Sequence, residues 1–417
     1  MSTRGEHLVH ADRRFATGGS LAARLAAPAI GRVLDEIDRR LLRGGLDATL
    51  PEGTSRRLGF HGEGPRAVVH LSSWMALIRL ATSGSVGWYK AWTLGEWSSP
   101  DPVKLFELFS ANAQPLGDTG RAKGPFRWMN ALAHRLRDNA PGKARKNIAA
   151  HYDLGNDFYS AWLDPTMTYS SARFASAGDS LEEAQLRKIH TLLDRLDLKP
   201  GQRLLEIGCG WGTLAIEAAK RGVEVVGLTL STEQKAWAER KINEAGLTSQ
   251  VEIRLQDYRD TNEQFDAVAS VEMVEAVGQR WWGAYLDSVA RNLKPDGRAA
   301  LQFISIDPRL FDRYARNADF IQTYIFPGGC LLDEPCFAEL AEERGLSWDD
   351  RQAFGQDYAE TLKLWRERYD DAVARGALHG FAEPFHDLWR YYLMYCEGGF
   401  RGGAIDVAQV TLTKASA

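Results

Sequence analysis

The spacing of hydrophobic residues changes repeatedly along this chain, and each change predicts a strand or a helix. Short, nearly continuous apolar runs are typical of buried strands. Such runs are found at 204–207, Val223–Leu228, Val251–Leu255, Phe265–Val271, after Gly297, and at Ile405–Thr413. Between the first two runs, Leu214, Ile216, Ala218 and Ala219 suit a helix. Strands that alternate with helices in this way predict an α/β fold for the second part of the chain.

The first third of the chain has a different pattern. One helix is predicted by apolar residues three or four positions apart, namely Ile30, Val33, Leu34, Ile37, Leu41 and Leu42. The paired glycines at 44 and 45 end that helix. Arg66–Leu71 alternates as a strand, and a further helix is predicted to run from Pro100 to Phe109. These elements predict a small, mainly helical α+β domain over residues 1–125.

Two interpretations of this first domain stay open. It is either a small domain with its own hydrophobic core, or a module that handles lipid or forms a homodimer. No set of catalytic residues is visible in it. The stretch 84–97, which is rich in glycine and tryptophan, belongs to it.

Basic residues concentrate in the segment that follows. Gln114–Gly124 is polar and contains glycine, which predicts a linker. Phe126–Leu136 has amphipathic spacing, so residues 126–150 are predicted to form a basic linker helix. The basic positions in or near it are Arg121, Lys123, Arg127, Arg135, Arg137, Lys143, Arg145 and Lys146. Such a helix could contact an anionic membrane surface, or it could be a solvated helix between domains.

Composition excludes several classes of function. The chain has 417 residues and a net charge of −4, so its overall charge gives no indication of nucleic acid binding. No apolar run approaches the ~20 residues of a membrane span, and charges near the start interrupt any signal-peptide core. The cysteines, at 209, 330, 336 and 396, lack metal-ligand spacing. This pattern predicts no metal site and a cytoplasmic location.

The clearest chemical signal is a glycine-rich turn after the first strand of the second part. Gly208, Gly210 and Gly212 allow the backbone to bend sharply and a ligand to approach it. Nicotinamide dinucleotide sites use a similar turn, but there an acidic residue follows the next strand. Here Thr229-Leu230-Ser231 follows that strand. The sequence therefore favours S-adenosylmethionine (SAM) and is similar to that of class I SAM-dependent methyltransferases.

Further motifs narrow this similarity. They are His151–Asp153, Tyr169-Ser170, Ile207–Gly212, Thr229–Gln234, Asp257–Asp260, Tyr324–Gly328 and Tyr391–Phe400. With them, the chain resembles the family of cyclopropane-fatty-acyl-phospholipid synthases and mycolic-acid methyltransferases. The resemblance implies a Rossmann-like domain with a seven-stranded sheet over residues 151–417, preceded by the smaller domain. It also implies an enzyme at the inner face of the membrane, with an unsaturated phospholipid as substrate.

The resemblance implies a specific reaction. A methyl group passes from SAM to an alkene carbon of an acyl chain, and the resulting cation loses a proton from the new methyl and closes to a cyclopropane. Such a cation requires a dry, apolar site, groups that stabilise positive charge, and a base near the methyl. In this family the base is thought to be a bound bicarbonate.

The resemblance also implies the catalytic residues. Glu275 and Tyr324 match the Glu and Tyr that hold the bicarbonate. The family's other ligands to the bicarbonate are backbone groups near a Cys, where Ser171 stands here, and a His in many members, where Gln302 stands. The amide of Gln302 keeps a donor that could hold an anion. Ala276 also replaces a common His, so a product without ring closure, either methylene or methyl-branched, is the alternative.

The cofactor positions follow by the same resemblance. Tyr169 and Ser170 are expected at the methionine end of SAM, above the three glycines. The ribose is expected to meet Thr229, Leu230 and Gln234, and the adenine to lie between Asp257 and Tyr258. Glu272 could face the site or be a solvated or paired carboxylate. Cys396 aligns with a cysteine often counted as active, although a buried structural thiol fits this chemistry better.

An insertion over residues 306–334 carries apolar residues at helical spacing, with Arg309, Arg313 and Arg316 among them. It is interpreted either as a lid, with apolar residues around the acyl chain and arginines towards phosphate, or as a helical hairpin that covers the sheet edge. Two other classes of function stay open for the whole chain. They are a non-enzymatic sensor of SAM or lipid, and a methyltransferase for small molecules.

Overall fold

The computed structural model describes residues 4–11, 21–117, 154–317 and 319–416. The chain divides into two compact units. The first contains the described residues up to 117 together with Asp307–Pro327 and His379–Ile405, and the second contains the remainder. The basic helix predicted over 126–150, and the predicted boundaries at 125 and 150, lie outside the described residues.

The first unit combines a small sheet with helices. Its helices are α1 (Glu6–Val9), α2 (Leu21–Arg40), α3 (Met75–Thr93), α4 (Pro102–Ala111) and α5 (Ala113–Leu116). Its strands are β1 (Gly45–Thr49), β2 (Ser55–Gly59), β3 (Arg66–Leu71) and β4 (Trp97–Ser98), in the order β2-β1-β3-β4. The pair β1–β3 is parallel and the other two pairs are antiparallel. The strand predicted at 66–71 and the helix predicted after Pro100 are both confirmed.

The second unit carries the larger sheet. Its helices and strands are α6 (Asn156–Ser160), α7 (Leu181–Arg195), β5 (Arg203–Ile207), α8 (Thr213–Lys220), β6 (Glu224–Thr229), α9 (Thr232–Glu244), β7 (Val251–Leu255), β8 (Phe265–Val271), α10 (Trp282–Asn292), β9 (Leu293–Ile306), α12 (Glu334–Glu342), β10 (Asp349–Ala353), α13 (Gly355–Ala374) and β11 (Ile405–Thr413). Between them the first unit contributes α11 (Pro308–Ala315) and α14 (Glu383–Gly402).

The sheet of the second unit has seven strands, in the order β10-β11-β9-β8-β5-β6-β7. The pairs β9–β8, β8–β5, β5–β6 and β6–β7 are parallel. Strands β10 and β11 are antiparallel to each other. The strand order reverses direction beside β5, since β6 lies on one side of it and β8 on the other. In open α/β sheets, ligands bind at the carboxyl ends of the strands at such a point. The predicted seven-stranded α/β fold is confirmed.

Aromatic rings fill part of the first unit. The ring of Tyr89 lies 5.0 Å from that of Phe320, 4.8 Å from that of Tyr324 and 4.9 Å from that of Tyr391. Phe320 and Tyr391 are 4.8 Å apart. The apolar residues predicted for the insertion therefore pack into a ring cluster of their own unit.

The arginines of the insertion make local contacts. Arg309 is paired with Asp307 at 2.6 Å, and Arg316 with Asp312 at 3.0 Å. Both arginines are thus neutralised within or next to helix α11, which gives them a local role that spacing alone did not reveal. The lid remains a prediction.

In the described ranges no helix combines the length and apolar character needed to cross a membrane.

Helices α4 and α14 approach closely because glycines line one side of α14. A Cβ atom at Gly398 would lie 2.4 Å from Cβ of Phe106 and 2.7 Å from the carbonyl oxygen of Val103. The hydroxyl of Ser110 donates to the carbonyl oxygen of Gly399 at 2.6 Å. The contact leaves no room for a methyl group.

We expect Gly398→Ala to lower the free energy of unfolding by about 1–3 kcal/mol, because the added methyl forces the two helices apart. The matched control is Gly31→Ala inside α2, where a Cβ meets no atom within 4 Å. That change should be neutral or stabilise by roughly 0.5–1 kcal/mol. Urea unfolding of both variants measures the difference, and equal stability would contradict this account of the packing.

Candidate active site

The glycine turn lies at the carboxyl edge of the parallel strands. Ile207, the last residue of β5, pairs with Leu228 of β6 and with Ser270 of β8. The segments that follow these three strands therefore meet at one edge of the sheet. Of the residues predicted for the site, they carry the three glycines, Leu230, Gln234 and Glu275.

The three glycines of the turn have left-handed backbones, with φ of 81° at Gly208, 51° at Gly210 and 92° at Gly212. A Cβ at Gly208 would lie 2.9 Å from Met273, and one at Gly212 would lie 2.9 Å from Ala238. A Cβ at Gly210 would meet no atom within 4 Å. Gly208 and Gly212 are thus required by packing, whereas Gly210 borders open space that a ligand can enter.

The residues predicted for the ribose are brought together after β6. The hydroxyl of Thr229 donates to the side-chain oxygen of Gln234 at 2.9 Å. Ser231 caps helix α9, since its hydroxyl accepts from the backbone N–H of Gln234 at 3.2 Å. Leu230 lies between these residues and is half-buried. Their contact with SAM stays a prediction.

The residues predicted for the adenine follow β7. Asp257 accepts hydrogen bonds from the guanidinium of Arg259, one of them at 2.8 Å. Burial alone would raise the pKa of Asp257, but the hydrogen bonds from Arg259 lower it below its usual value. Tyr258 is buried and its ring lies 5.5 Å from that of Tyr285. This role of Arg259 was not expected from the sequence. Its guanidinium donates to both carboxylate oxygens of Asp257.

The residues predicted for the methionine end of SAM are anchored by helix α7. The ammonium of Lys188 donates to the hydroxyl of Ser170 at 2.6 Å, and the amide of Gln185 donates to the Ser170 carbonyl at 2.8 Å. The ring of Tyr169 lies 5.2 Å from that of Trp365. Sequence reasoning missed both Lys188 and Gln185. The sequence did contain a signal for Lys188. It lies four residues before Leu192, and therefore on the same apolar face of α7.

A buried carboxyl stands at the end of β5. Glu206 is 4% exposed, and its Oε2 has no hydrogen-bond partner among the described residues. Burial raises the pKa of Glu206 to about 8, and the charge of Lys188 opposes that rise. Burial also lowers the pKa of Lys188 to about 8, against the charges of Glu272, Asp164 and Glu206. Because Glu206 precedes the first glycine of the turn by two residues, its carboxyl is a candidate contact for the positively charged methionine end of SAM, and this contact stays a prediction.

Glu275, the predicted anion ligand, follows β8 in a short turn over Val274–Ala276. One of its carboxyl oxygens, Oε1, accepts from the backbone N–H of Ile304. The other, Oε2, is buried and has no partner among the described residues. Burial, with the neighbouring charge of Glu272, raises the pKa of Glu275 to about 8. The side chain therefore presents one unused proton acceptor in a dry environment.

Glu272 is the most heavily bonded side chain of the site. Its Oε1 accepts from the backbone N–H of Ser171 at 2.9 Å and from the amide of Gln302 at 2.8 Å. Its Oε2 accepts from the hydroxyl of Tyr358 at 2.7 Å. The left-handed backbone, with φ of 49°, is unusual for a residue other than glycine. The sequence left the role of Glu272 open, and the structure gives it three donors.

Ser171 and Gln302 thus lie together, as predicted, but both face Glu272. The side-chain oxygen of Gln302 accepts from the amide of Gln409 at 3.0 Å. The hydroxyl of Ser171 donates to the carbonyl of Ala172 at 2.9 Å. The donors expected for a bound anion are therefore committed to a carboxylate of the chain itself.

Two predicted catalytic residues belong to the first unit. Tyr324 lies in a π-helical turn, Ile321–Ile325, within the ring cluster around Tyr89. Cys396 lies on α14, and burial raises the pKa of its thiol far above the usual range. A thiol held in the protonated state is a poor nucleophile. Catalytic roles for both residues stay predictions.

Comparison with known proteins identifies the family. A family model described as mycolic acid cyclopropane synthetase matches residues 140–410. Tuberculostearic acid methyltransferase UfaA1 of Mycobacterium tuberculosis is 38% identical to this chain, over 81% of it and 80% of the relative. Cyclopropane-fatty-acyl-phospholipid synthase of Escherichia coli is 37% identical, over 81% of this chain and 85% of its own. The chain belongs to this family.

Solved structures agree. The cyclopropane synthase MmaA2 from Mycobacterium tuberculosis superposes with a TM-score of 0.61 at 34% identity, covering 65% of this chain and 98% of that one. The mycolic acid cyclopropane synthase CmaA1, solved with S-adenosylhomocysteine (SAH) and CTAB, gives a TM-score of 0.60 at 34% identity, with the same coverage of both chains. This protein is therefore a SAM-dependent methyltransferase of a family that modifies lipids. When bound, SAM supplies an electrophilic methyl group.

We expect Gly210→Ala to weaken binding of SAH, because its methyl would project into the open space at the turn. The matched control is Gly246→Ala, which has φ of 71° and also meets no atom within 4 Å. Both variants carry similar backbone strain, about 1–2 kcal/mol per residue. Isothermal titration calorimetry should show weaker SAH binding only for Gly210→Ala. If the two variants bound SAH with equal affinity, the prediction that the cofactor contacts this turn would be wrong.

We also expect stability to fall as the pH rises from about 4.5 to about 8. In this window folded Glu275 keeps a proton that the unfolded chain releases, so the unfolded state gains by ionising. Each such group contributes a slope of at most about 1.4 kcal/mol per pH unit. Glu275→Gln should flatten the curve of unfolding free energy against pH, while Glu239→Gln on the surface of α9 should not. An unchanged slope in Glu275→Gln would contradict the assignment.

Proposed function

We propose that this methyltransferase transfers a methyl carbon from SAM to the double bond of an unsaturated phospholipid acyl chain. A proton is then lost from the transferred methyl. The observation that carries the proposal is Glu275, whose Oε2 is buried and has no hydrogen-bond partner among the described residues. Methyl transfer to an alkene creates a cation that must lose a proton, and Glu275 can accept it at this oxygen in the molecules in which its carboxyl is ionised, a fraction that grows as the pH approaches its pKa of about 8.

The surroundings of Glu275 suit a cationic intermediate. We call Glu272 and Glu275 the carboxyl cluster. Ser171 is fully buried, and Gln302 is 1% exposed, so water that would capture the cation has little access to this cluster. Negative charge on Glu272 favours a positive intermediate.

Aromatic rings extend from the carboxyl cluster towards the cofactor residues. The ring of Tyr358, whose hydroxyl donates to Glu272, lies 6.1 Å from that of Trp365. Trp365 lies 5.2 Å from Tyr169, the residue predicted for the methionine end of SAM. Aromatic faces attract cations, both the sulfonium of SAM and the carbocation that follows transfer. This row of aromatic rings supports the proposal that the substrate is an apolar acyl chain.

Ring closure to a cyclopropane is the first candidate for the product. The E. coli relative is named as a synthase of cyclopropane chains on phospholipids, and it matches most of this chain. A methylene or methyl-branched chain is the second candidate. It is favoured by Gln302 at the position where many members have His, and by the relative named as a tuberculostearic acid methyltransferase. Cyclopropane and methylene formation both require loss of a proton from the transferred methyl, whereas direct methyl branching does not.

We further propose that the phospholipid is taken from a membrane surface. The support is chemical, since long acyl chains reside in bilayers, and the basic residues between 121 and 146 would suit anionic headgroups. That segment lies outside the described residues. A homodimer formed through the first unit is the companion prediction.

The test is mass spectrometry of phospholipid acyl chains from cells that express the protein and are fed methyl-deuterated methionine. We expect a gain of one CH₂ unit that retains two deuteriums, because one leaves with the lost proton. Chemical derivatisation of double bonds then separates a methylene chain from a cyclopropane. Three retained deuteriums would indicate methyl branching without proton loss from the new methyl.

Glu275→Gln should abolish this product, with a loss of at least ~100-fold in rate if Glu275 is the base. Glu244→Gln, an exposed change on α9, is the matched control and should keep activity. Absence of any lipid product from the wild-type protein, with SAH still bound in vitro, would overturn the proposed function and favour a small-molecule substrate or a sensor.

A further inference from the structure

We propose that Glu272 takes the place expected for bicarbonate, and that Glu275 itself removes the proton, so this methyltransferase works without a bound anion. The inference rests on the proposed function. It concerns how the same reaction disposes of its proton. Three observations carry it: the donors around Glu272, the local charge and the backbone at Glu272.

The hydrogen-bond donors expected for bicarbonate are bonded to Glu272. By resemblance to the family, the backbone at Ser171 and the side chain at position 302 were expected to hold bicarbonate. Both instead donate to the same oxygen, Oε1 of Glu272, at 2.9 and 2.8 Å. A backbone N–H is a single donor, so that of Ser171 is fully used. The carboxylate of Glu272 thus has the hydrogen bonds that a bound anion would need.

The amide of Gln302 has no donor to spare either. One hydrogen points to Glu272, and the other is directed at the carbonyl oxygen of Ser171, with a nitrogen–oxygen distance of 3.4 Å. Its oxygen accepts from Gln409, which also fixes which end of the amide is the donor. The backbone N–H of Ile304 is likewise committed, to Oε1 of Glu275. The donors at Ser171, Gln302 and Ile304 are therefore not available to bicarbonate.

Charge points the same way. Glu272 and Glu275 are both buried, and the charge of Glu272 helps to raise the pKa of Glu275. Lys188 is the cation whose charge acts on Glu272. Like charges repel strongly where the local dielectric constant is low, so a bound anion beside the Glu272 carboxylate would be unfavourable.

The backbone at Glu272 indicates that its side chain is needed. Its φ of 49° lies in the left-handed region, where glycine is favoured and other residues are strained. Its N–H donates to the carbonyl of Gln302 at 2.7 Å, which holds this conformation. Glycine would fit the backbone better but would leave the donors of Ser171 and Gln302 without an acceptor.

The proton leaves from the methyl group that SAM supplied. A C–H bond of the transferred methyl breaks, and its electron pair forms the new carbon–carbon bond to the cationic carbon. The proton goes to Oε2 of Glu275, the oxygen that has no partner among the described residues. For the methylene product, a hydride shift first moves the cation to the methylated carbon, and the same electron pair then forms the double bond. Glu272 acts in either case as a positioning residue.

The decisive variant is Glu272→Gly, which relieves the backbone and vacates the place of the carboxylate. Binding of carbon-13 bicarbonate, followed by NMR in the presence of SAH, should be absent for the wild-type protein and present for Glu272→Gly. Asp197→Gly, at an exposed residue with φ of 48°, is the matched control and should not bind. Glu272→Gln keeps the side-chain volume and should not bind bicarbonate either.

Activity provides a second measurement. In buffer depleted of carbon dioxide, the wild-type rate of lipid methylation should not change when bicarbonate is added. Glu272→Gly should lose roughly 100-fold in rate, and bicarbonate should restore part of it, whereas chloride should not. No rescue is expected for Glu272→Gln, in which the amide still fills the space.

Bicarbonate binding to the wild-type protein at this site, or a wild-type rate that falls on depletion and recovers on addition, would overturn the inference. A Glu272→Gly protein that folds and binds SAH but takes up no bicarbonate would also contradict it. If no protein shows lipid methylation under any condition, the proposed function fails, and the NMR comparison still decides whether Glu272 occupies an anion site.

Discussion

The burial of charge at the carboxyl edge of the sheet is the constraint on which the site depends. Glu206, Glu272 and Glu275 are withdrawn from water together with Lys188. An ion removed from water costs several kcal/mol unless hydrogen bonds and opposite charge compensate it. Most donors nearby are therefore committed to a carboxylate oxygen, and the oxygens left over are the ones that can act on a ligand.

Oε2 of Glu206 and Oε2 of Glu275, which have no hydrogen-bond partner among the described residues, have different surroundings. Oε2 of Glu206 stands beside the glycine turn, where the open approach at Gly210 suits the charged end of SAM. Oε2 of Glu275 stands in the carboxyl cluster with Glu272. Lys188 contributes to both regions, because its charge acts on Glu206 and on Glu272. One buried lysine thus stabilises the cofactor side and the chemical side of the same sheet edge.

A fold shared across a family does not determine how each member handles its proton. The strand order and glycine turn belong to the shared fold, whereas in the proposed reaction the residues after β8 and within β9 decide what accepts the proton. In this protein those residues form a network of side chains, in which Gln409 fixes Gln302 and Gln302 fixes Glu272. Glu275 is held separately, by the backbone N–H of Ile304.

The sequence by itself determined the α/β fold, the glycine turn and, through family motifs, SAM chemistry, because apolar periodicity and local turn residues act over a few positions. Resemblance to the family also predicted that Ser171, Gln302 and Glu275 belong to one site. Only the tertiary structure decided which oxygen each donor meets. Glu272 bonds to residues 101, 30 and 86 positions away in the chain, and such contacts depend on strand register and side-chain direction, which no periodicity encodes.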